Sequence, residues 1–227
     1  MVVYGKQIFL YIINNHPELI KQIYLSKNID PKLLQKVKQL QIPIKKIDNK
    51  KAQALSRGGN HQGFFVEIDK FHFTPFEDIK KEQFLVILYG VTDIGNIGSI
   101  VRTAYALGAD GVVITGIKSL QMEGVIRRSS GAALDLPITL KSNIFDVIKE
   151  LQDCNTYVYC ADMLGEDVRR VHFEQKRAII LGSEGEGISK KVLNRCHKRL
   201  KISMKRPFDS LNVAAAAAIF IDRMRDE

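Results

Sequence analysis

The first 68 residues alternate between the apolar spacings of helices and of strands. Ile8, Phe9, Ile12 and Ile13 recur at the intervals of an amphipathic helix over residues 5–15. The other elements predicted here are a strand at 23–25, a helix from Pro31 with Asp30 as its cap, a strand over 42–47, a short helix over 50–55 and a strand over 64–68. This order predicts a small α/β module.

The chain after residue 81 has the longer apolar runs of a buried sheet. Residues 84–89 (FLVILY) and 178–181 (AIIL) are continuously apolar, which is typical of strands covered on both faces. Further strands are predicted at 112–114, 136–140 and 157–159, with helices over 97–107 and 144–151. The alternation predicts an open, parallel α/β sheet.

A segment with no single period separates the two parts. Residues 69–81 contain Pro75 and a charge cluster, and we interpret them as a linker. Phe71, Phe73 and Phe76 are expected to pack onto one of the domains. The predicted organisation is therefore a front module over 1–68, a linker over 69–81 and a second domain over 82–227.

The stretch from Lys201 to Ile221 joins a strand-like start to a run of five alanines. Ile202 and Met204 alternate with polar residues, which predicts the end of a strand. Asp209 and Ser210 are suitable N-caps for a helix through the alanines. Because alanine has the smallest side chain with a Cβ, such a helix can approach another backbone closely.

Composition restricts the classes of protein. The 227 residues are 45% hydrophobic and 26% charged, which is typical of a soluble globular protein. The longest apolar run, 213–221, is too short to span a membrane, and the N-terminus lacks the pattern of a signal peptide. The three cysteines have no CxxC spacing, so we expect neither a disulfide framework nor a metal site. The expected location is the reducing cytoplasm.

The charge is positive and uneven. The net charge is +9, and residues 1–80 contain 13 Lys and Arg against 7 Asp and Glu, while the remainder contains 21 against 18. An excess of this sign suggests a polyanionic partner. The distribution predicts a nucleic-acid-binding front module attached to a nearly neutral domain; the alternative is a generically basic protein.

The loop at 56–63 (SRGGNHQG) concentrates groups that suit RNA. It combines three glycines with Arg57, Asn60, His61 and Gln62. Exposed backbone donors beside a cation and amides can hold RNA phosphates and base edges. The alternative is a flexible turn in which His61 caps a strand.

A second glycine-rich loop, 182–189 (GSEGEGIS), follows the apolar run at 178–181. Ligands bind at the carboxyl ends of strands in α/β folds. The spacing is not that of a phosphate loop, and Glu184 and Glu186 would repel a pyrophosphate. The loop therefore favours a ligand with a cationic centre and an adenosine moiety.

Three segments, taken in order, resemble the motifs of the SpoU branch of the SPOUT RNA ribose methyltransferases. They are Asn96-x-Gly98-x-x-x-Arg102, Leu181-Gly182-Ser183-Glu184-Gly185-x-Gly187, and Ile202-x-Met204 through Ser210-Leu211-Asn212-Val213. The resemblance covers residues 84–221. The front module resembles the ribosomal-protein-L30-like substrate domain found in members that modify 23S rRNA.

The resemblance implies a deep C-terminal trefoil knot, a pocket for S-adenosylmethionine formed by the knot, and a homodimer. By matched position, the family's cofactor contacts fall on Gly182, Ile202, Met204 and Leu211. Its presumed catalytic residues fall on Asn96, Arg102, Glu184, Ser210 and Asn212. Ser203 departs from the pattern, since many relatives have proline there.

The matched positions also imply roles. Arg102 is expected to grip the phosphate beside the target ribose, with Asn96 bracing it. Ser210 and Asn212 are expected to hold the ribose or the knot loop. For Glu184 a structural role, bonding loop amides, is the alternative to a catalytic one.

The implied activity is S-adenosylmethionine-dependent 2'-O-methylation of a guanosine ribose in the P loop of 23S rRNA. Two alternatives remain at this point. One is methylation of a guanosine in tRNA, and the other is a non-catalytic RNA-binding assembly factor with the same fold.

Overall fold

The computed structural model describes residues 1–225, and the chain divides into two compact units. Unit 1 comprises Met1–His72 together with Met122–Gly131, and unit 2 comprises Phe73–Gln121 and the chain from Ala132 onward. The last two residues of the domain predicted at 82–227 lie outside the described residues.

The elements of the first 72 residues agree with the predicted order and add one strand. They are β1 (Val2–Tyr4), α1 (Lys6–Asn15), β2 (Ile20–Leu25), α2 (Pro31–Gln39), β3 (Ile44–Lys46), α3 (Asn49–Ser56) and β4 (Phe64–Ile68). Asp30 is the N-cap of α2, as predicted, since its carboxylate accepts hydrogen bonds from the backbone N–H groups of Lys32 and Leu33.

Unit 1 is built on a four-stranded mixed sheet in the order β1-β4-β2-β3. Strand β4 runs antiparallel to both β1 and β2, and β3 runs parallel to β2. Phe9 and Ile12 of α1 and Phe65 of β4 are fully buried, so the predicted apolar face of α1 covers the sheet.

The remaining strands and helices alternate, except that β8 and β9 follow one another with only a short 3-10 turn between them. They are α4 (Phe76–Ile79), β5 (Phe84–Tyr89), α5 (Ile94–Ala106), β6 (Gly111–Thr115), α6 (Met122–Arg128), β7 (Ile138–Leu140), α7 (Ile144–Asp153), β8 (Tyr157–Asp167), β9 (Arg177–Gly182), α8 (Lys190–Leu193), β10 (Lys198–Lys201) and α9 (Val213–Met224).

Unit 2 is built on a six-stranded sheet in the order β10-β8-β9-β5-β6-β7. Every neighbouring pair is parallel. The central strands β5 and β9 are the two continuously apolar runs, and they are buried along almost their whole length. The predicted open parallel α/β sheet is therefore confirmed, and the carboxyl ends of its strands lie along one edge.

Helix α6 packs within unit 1, although the chain on either side of it belongs to unit 2. Its apolar residues Val125 and Ile126 are fully buried, and the helix contacts β1. The guanidinium of Arg127 lies 3.5 Å from the centre of the Tyr4 ring and donates a 3.2 Å hydrogen bond to the Tyr4 carbonyl oxygen. Burial lowers the pKa of Arg127. The front unit thus includes a segment that the predicted boundaries placed in the second domain.

The segment 69–81, interpreted as a linker, contains the short helix α4, whose Phe76 and Ile79 enter the core of unit 2, so the expected packing of Phe76 onto one of the domains is confirmed. Two local predictions were wrong. Strand β10 ends at Lys201, so the alternation at 202–204 does not continue the strand. Helix α9 is capped by Asn212 rather than by Asp209 or Ser210, although all three residue types make good caps.

None of the helices within residues 1–225 is both long enough and apolar enough to cross a bilayer.

We expect Arg127→Ala to lower the free energy of unfolding by about 1–2 kcal/mol, because it removes a partly buried cation–π contact and a hydrogen bond. The measurement is urea unfolding of the full chain. Arg128→Ala is the matched control, since Arg128 is exposed beside it and should change stability by less than about 0.5 kcal/mol. Equal effects of the two substitutions would contradict a stabilising role for the Arg127–Tyr4 contact.

Candidate functional site

The candidate site lies where the pairing of β8 with β10 is interrupted. Arg199 pairs with Cys160, but the next residue of β10, Leu200, pairs with Glu166. Residues 161–165 of β8 therefore have no partners in β10 and bulge out of the sheet, and we call this segment the excursion. At the end of this excursion the two backbones nearly touch, since a Cβ added to Gly165 would lie 2.5 Å from the carbonyl carbon of Arg199.

A cavity of about 380 Å³ lies between this excursion, the loop that follows β10, and α9. Its walls are mostly apolar and include Ile202, Met204, Leu211 and Phe220, while Ser210 and Asp162 supply polar groups. Ala216 of the alanine run also lines it, so a small side chain leaves room for a ligand at that point. The volume lies within the range of about 300–1,000 Å³ common for small-molecule sites.

Asp167, which the sequence analysis missed, anchors the loop at the edge of the cavity. Its carboxylate accepts hydrogen bonds from the side chain of Arg169 at 2.6 and 3.0 Å. The pKa of Asp167 is held well below its usual range, first by Arg169 and then by a hydrogen bond from the Ser203 hydroxyl. Nothing in the local pattern pointed to Asp167, because β8 is much longer than the predicted strand.

Three side chains from distant parts of the sequence form a polar cluster, Asn96–Glu184–Asn212. The Asn212 amide donates to Asn96 Oδ1 at 3.0 Å and also to Glu184 Oε1, and the Asn96 amide donates to the same Glu184 oxygen at 3.3 Å. The cluster therefore joins the first turn of α5, the glycine-rich loop after β9 and the start of α9.

The start of α9 is tied to this cluster by backbone groups as well. The Asn212 side-chain oxygen accepts from the N–H groups of Ala214 and Ala215 at 3.0 and 3.3 Å. Glu184 Oε1 accepts a further hydrogen bond from the Val213 N–H at 3.3 Å. Free N–H groups at a helix N-terminus favour a nearby carboxylate, which supports the structural alternative for Glu184.

The glycine-rich loop closes tightly on itself. The Gly187 N–H donates to the Ser183 carbonyl at 2.9 Å. A Cβ added to Gly182 would lie 2.5 Å from the carbonyl carbon and oxygen of Gly187, so this position has no room for a side chain. Gly182 does not line the cavity, and its predicted cofactor contact stays a prediction.

The other predicted residues divide into three groups. Ile202, Met204, Leu211 and Ser210 line the cavity. Asn96, Glu184 and Asn212 form the polar cluster. Arg102 is exposed on α5, and no hydrogen bond or ion pair joins it to the rest of the chain that the structure describes. The predicted bracing of Arg102 by Asn96 is absent there, because the Asn96 amide bonds to Glu184 instead.

In unit 1, the predicted RNA loop offers three exposed side chains, those of Arg57, Asn60 and Gln62. His61 differs from them, since it is only 7% exposed. Its Nδ1 accepts from the Gly63 N–H at 3.0 Å, and its ring lies 4.9 Å from that of Phe65. Burial, with a contribution from Lys27, lowers the pKa of His61. His61 therefore shapes the loop from inside.

Two family models match the chain. Residues 83–222 match the model of the SpoU rRNA Methylase family, and residues 2–74 match the model described as RNA 2'-O ribose methyltransferase substrate binding. The chain belongs to the SpoU rRNA Methylase family. The resemblance of the three motifs is thereby confirmed, and the chain is an RNA 2'-O-ribose methyltransferase.

Relatives of this SpoU family member are similar along nearly their whole length. A putative TrmH family tRNA/rRNA methyltransferase from Staphylococcus aureus is 30% identical over 92% of this chain and 89% of its own. The 23S rRNA (guanosine-2'-O-)-methyltransferase RlmB of Haemophilus ducreyi is 26% identical over 96% of this chain and 94% of its own.

Among solved structures, an AdoMet-bound rRNA methyltransferase from Sinorhizobium meliloti superimposes with a TM-score of 0.81 over 98% of this chain and 85% of that chain, at 22% identity. This likeness shows a shared fold.

We expect Gly182→Ala to destabilise the SpoU domain by about 1–3 kcal/mol, because the new methyl group meets backbone atoms that cannot move aside cheaply. Gly185→Ala is the matched control in the same loop, since a Cβ there meets nothing within 4 Å. Thermal unfolding of both variants gives the comparison. A Gly182→Ala protein as stable as the control would show that the loop opens readily.

Glu184→Gln tests whether this carboxylate ties the loops together or takes part in chemistry. Gln keeps an oxygen that can accept from Asn212 and Val213, so a structural role predicts turnover within about tenfold of the parent and a stability loss of about 1 kcal/mol. Glu184→Ala should lose both stability and turnover. A Gln variant with unchanged unfolding but turnover at least about 100-fold lower would instead assign the charge to the reaction.

Proposed function

We propose that this SpoU family member transfers the methyl group of S-adenosylmethionine to the 2'-oxygen of a guanosine ribose in the P loop of 23S rRNA. The observation that carries the proposal is that residues of the third motif line a cavity, while Asn212 of the same motif forms a polar cluster with Asn96 and Glu184 of the other two motifs. The guanosine and the 23S target are supported by the similarity to RlmB of Haemophilus ducreyi.

The cavity residues fit S-adenosylmethionine. The apolar side chains of Ile202, Met204 and Leu211 suit the faces of an adenine ring, and the volume of about 380 Å³ suits a ligand of this size. Asp162 and Asp209 place carboxylates in the wall, which suit a cationic group, and Asp162 also lies 3.4 Å from a guanidinium nitrogen of Arg199. When bound, the cofactor supplies a methyl group on a sulfonium, which is already a strong electrophile. The AdoMet-bound neighbour from Sinorhizobium meliloti supports this assignment by fold.

The protein's own task is then to place the 2'-oxygen and to help it lose its proton. Arg102, exposed and free of described partners, is suited to grip the phosphate beside the target ribose through two parallel hydrogen bonds. Alignment of this kind supplies roughly 7–11 kcal/mol in favourable cases. Because an arginine does not give up its proton below a pH of about 12, the hydroxyl proton passes to phosphate or water. Ser210 lines the cavity and holds the ribose.

The two parts of the chain divide the work in this proposal. The front module over 1–68 selects the RNA through Arg57, Asn60 and Gln62, with His61 shaping the loop. The linker over 69–81 leads to the methyltransferase domain over 82–227. The match of residues 2–74 to a substrate-binding family model and the basic charge of the module support this division.

We further propose a cytoplasmic homodimer in which α9 ends a trefoil knot. The alanine-rich helix α9 is consistent with this proposal, because its small side chains allow close packing. Ala217 is fully buried, and α9 packs against α5 and β9, which lie earlier in the sequence. Close backbone approaches at Gly165 and Gly182 give the compactness that threading requires.

A second candidate is methylation of tRNA, which the Staphylococcus aureus relative's name includes beside rRNA. The non-catalytic assembly factor considered from the sequence is not supported, because the chain belongs to the SpoU rRNA Methylase family and has Arg102, Ser210 and Asn212. The 23S rRNA and tRNA candidates differ in a single observable, which is the RNA that receives the methyl group.

The test is methyl transfer from labelled S-adenosylmethionine to a 23S transcript containing the P loop and to tRNA transcripts, followed by mapping of 2'-O-methyl sites. One modified guanosine in the P loop is the expected result. Modification of tRNA alone would move the assignment to the second candidate, and absence of transfer to any RNA, with no binding of the cofactor, would reject both.

Arg102→Ala should leave the affinity for S-adenosylmethionine unchanged and lower kcat by about 100-fold or more, because the grip on the RNA phosphate is lost. Arg102→Lys keeps the positive charge but lacks the planar guanidinium, so its kcat should lie between those of the parent and of Arg102→Ala. Arg195→Ala, which removes another exposed arginine of unit 2, is the control. Unchanged turnover in Arg102→Ala would remove this residue from the mechanism.

A further inference from the structure

The loop between β10 and α9 presents an aromatic side chain to solvent at the mouth of the cavity. Phe208 is 72% exposed, yet it is one of the residues that line the cavity. Exposure of a whole aromatic ring is unfavourable in water. A phenylalanine held in this position therefore suggests a ligand that covers the ring.

Apolar exposure in this protein is concentrated at the same place. Six large apolar side chains are exposed within residues 1–225. Three of them, Met163, Met204 and Phe208, line the cavity, and Leu164, at 86% exposure, is the neighbour of Met163. Scattered surface apolar residues need no explanation, but a group beside a binding cavity marks a contact surface.

Two cations stand directly before the aromatic ring in the chain. Lys205 and Arg206 are exposed, and no hydrogen bond or ion pair joins either one to the described residues. Pro207 lies between Arg206 and Phe208 and fixes its own φ. The proline therefore limits the freedom of the backbone that separates the cations from the ring.

We propose that Phe208, Lys205 and Arg206 form a nucleobase-binding subsite at the mouth of the cavity. An unpaired RNA base stacks on the Phe208 ring, and the adjoining phosphate is held by Lys205 and Arg206, which is the combination used to bind single-stranded nucleic acid. Ser210 follows two residues later on the same loop, so the stacked base belongs to the reacting nucleotide or its neighbour. This inference rests on the proposed function.

Two other occupants fit the observations less well. A second copy of this chain would place Lys205 beside an apolar contact, whereas lysine is depleted at protein interfaces. The adenine of the cofactor is better placed against Ile202 and Leu211, which line the cavity and are partly buried, than against Phe208, which is 72% exposed. The charges beside the ring favour RNA.

The test compares Phe208→Leu and Phe208→Trp in the full-length protein. Leucine keeps an apolar side chain but offers no ring face, while tryptophan keeps the ring face. Phe145→Leu is the matched control, since Phe145 is 41% exposed on α7 and does not line the cavity. The probes are S-adenosylmethionine alone, by calorimetry, and the RNA that the parent protein methylates, or the 23S P-loop transcript if it methylates none.

Phe208→Leu should weaken RNA binding about tenfold or more, while Phe208→Trp and Phe145→Leu stay near the parent. The affinity for S-adenosylmethionine should stay within about twofold in all of them. Arg206→Gln should lower the slope of log K against log salt by about 0.7, as for one lost phosphate contact on a single strand.

Three results for Phe208→Leu would overturn the subsite. The first is an RNA affinity equal to that of the parent, and the second is a loss of affinity for S-adenosylmethionine as large as the loss for RNA. The third is dissociation of an oligomer that the parent forms, as seen in analytical sedimentation. Failure of the proposed function has a different signature, because the parent protein itself would then transfer no methyl group to any RNA.

Discussion

The carboxamide of Asn212 connects the three loops on which the site of this SpoU family member depends. Its oxygen satisfies two backbone N–H groups at the start of α9, and its nitrogen reaches both Asn96 and Glu184. A cap of this kind contributes about 1 kcal/mol, and each further hydrogen bond about 0.5–1.5 kcal/mol. These energies are modest, but a single side chain thereby sets the mutual position of α5, the glycine-rich loop and the cavity wall. Asparagine suits this place because it both donates and accepts.

The cavity itself results from an irregularity in an otherwise regular sheet. Five parallel pairings make a rigid scaffold, and the jump in register between β8 and β10 releases residues 161–165 from it. The released segment faces the loop that follows β10, and the small side chains of α9 leave space between them. Rigid strands on one side and an irregular loop on the other are a common way to build a ligand site in α/β folds.

Much of the fold could be predicted because its signals are local. The continuous apolar runs of β5 and β9 and the helical spacing of α5 each depend on neighbouring residues only. The third motif also grouped Ile202, Met204, Ser210 and Leu211, and these four residues line the cavity. The cap of α9 was misplaced because Asp209 and Ser210 are as suitable as Asn212 by residue type, and only the contacts with Asn96 and Glu184 distinguish them.

Other features depend on contacts between distant residues and left no local signal. The burial of His61 follows from its packing on Phe65, and the role of Asp167 follows from the course of β8 beyond the predicted strand. The same holds for α6, whose apolar residues carry no information about which sheet they cover. The hydrogen bond between Ser203 and Asp167 likewise joins residues far apart in the sequence.

The membership of α6 in the front unit has a consequence for how such enzymes diversify. A recombination event that exchanged residues 1–72 as a cassette would leave the apolar face of α6 against a foreign β1 strand, without the ring that Arg127 covers. Chimaeras between SpoU enzymes should therefore fold well only when residues 122–131 are exchanged together with the front unit that they pack against. An exchange of RNA specificity then requires that both segments, 1–72 and 122–131, be inherited together. The expected sign of this coupling is covariation between residues of β1 and α6.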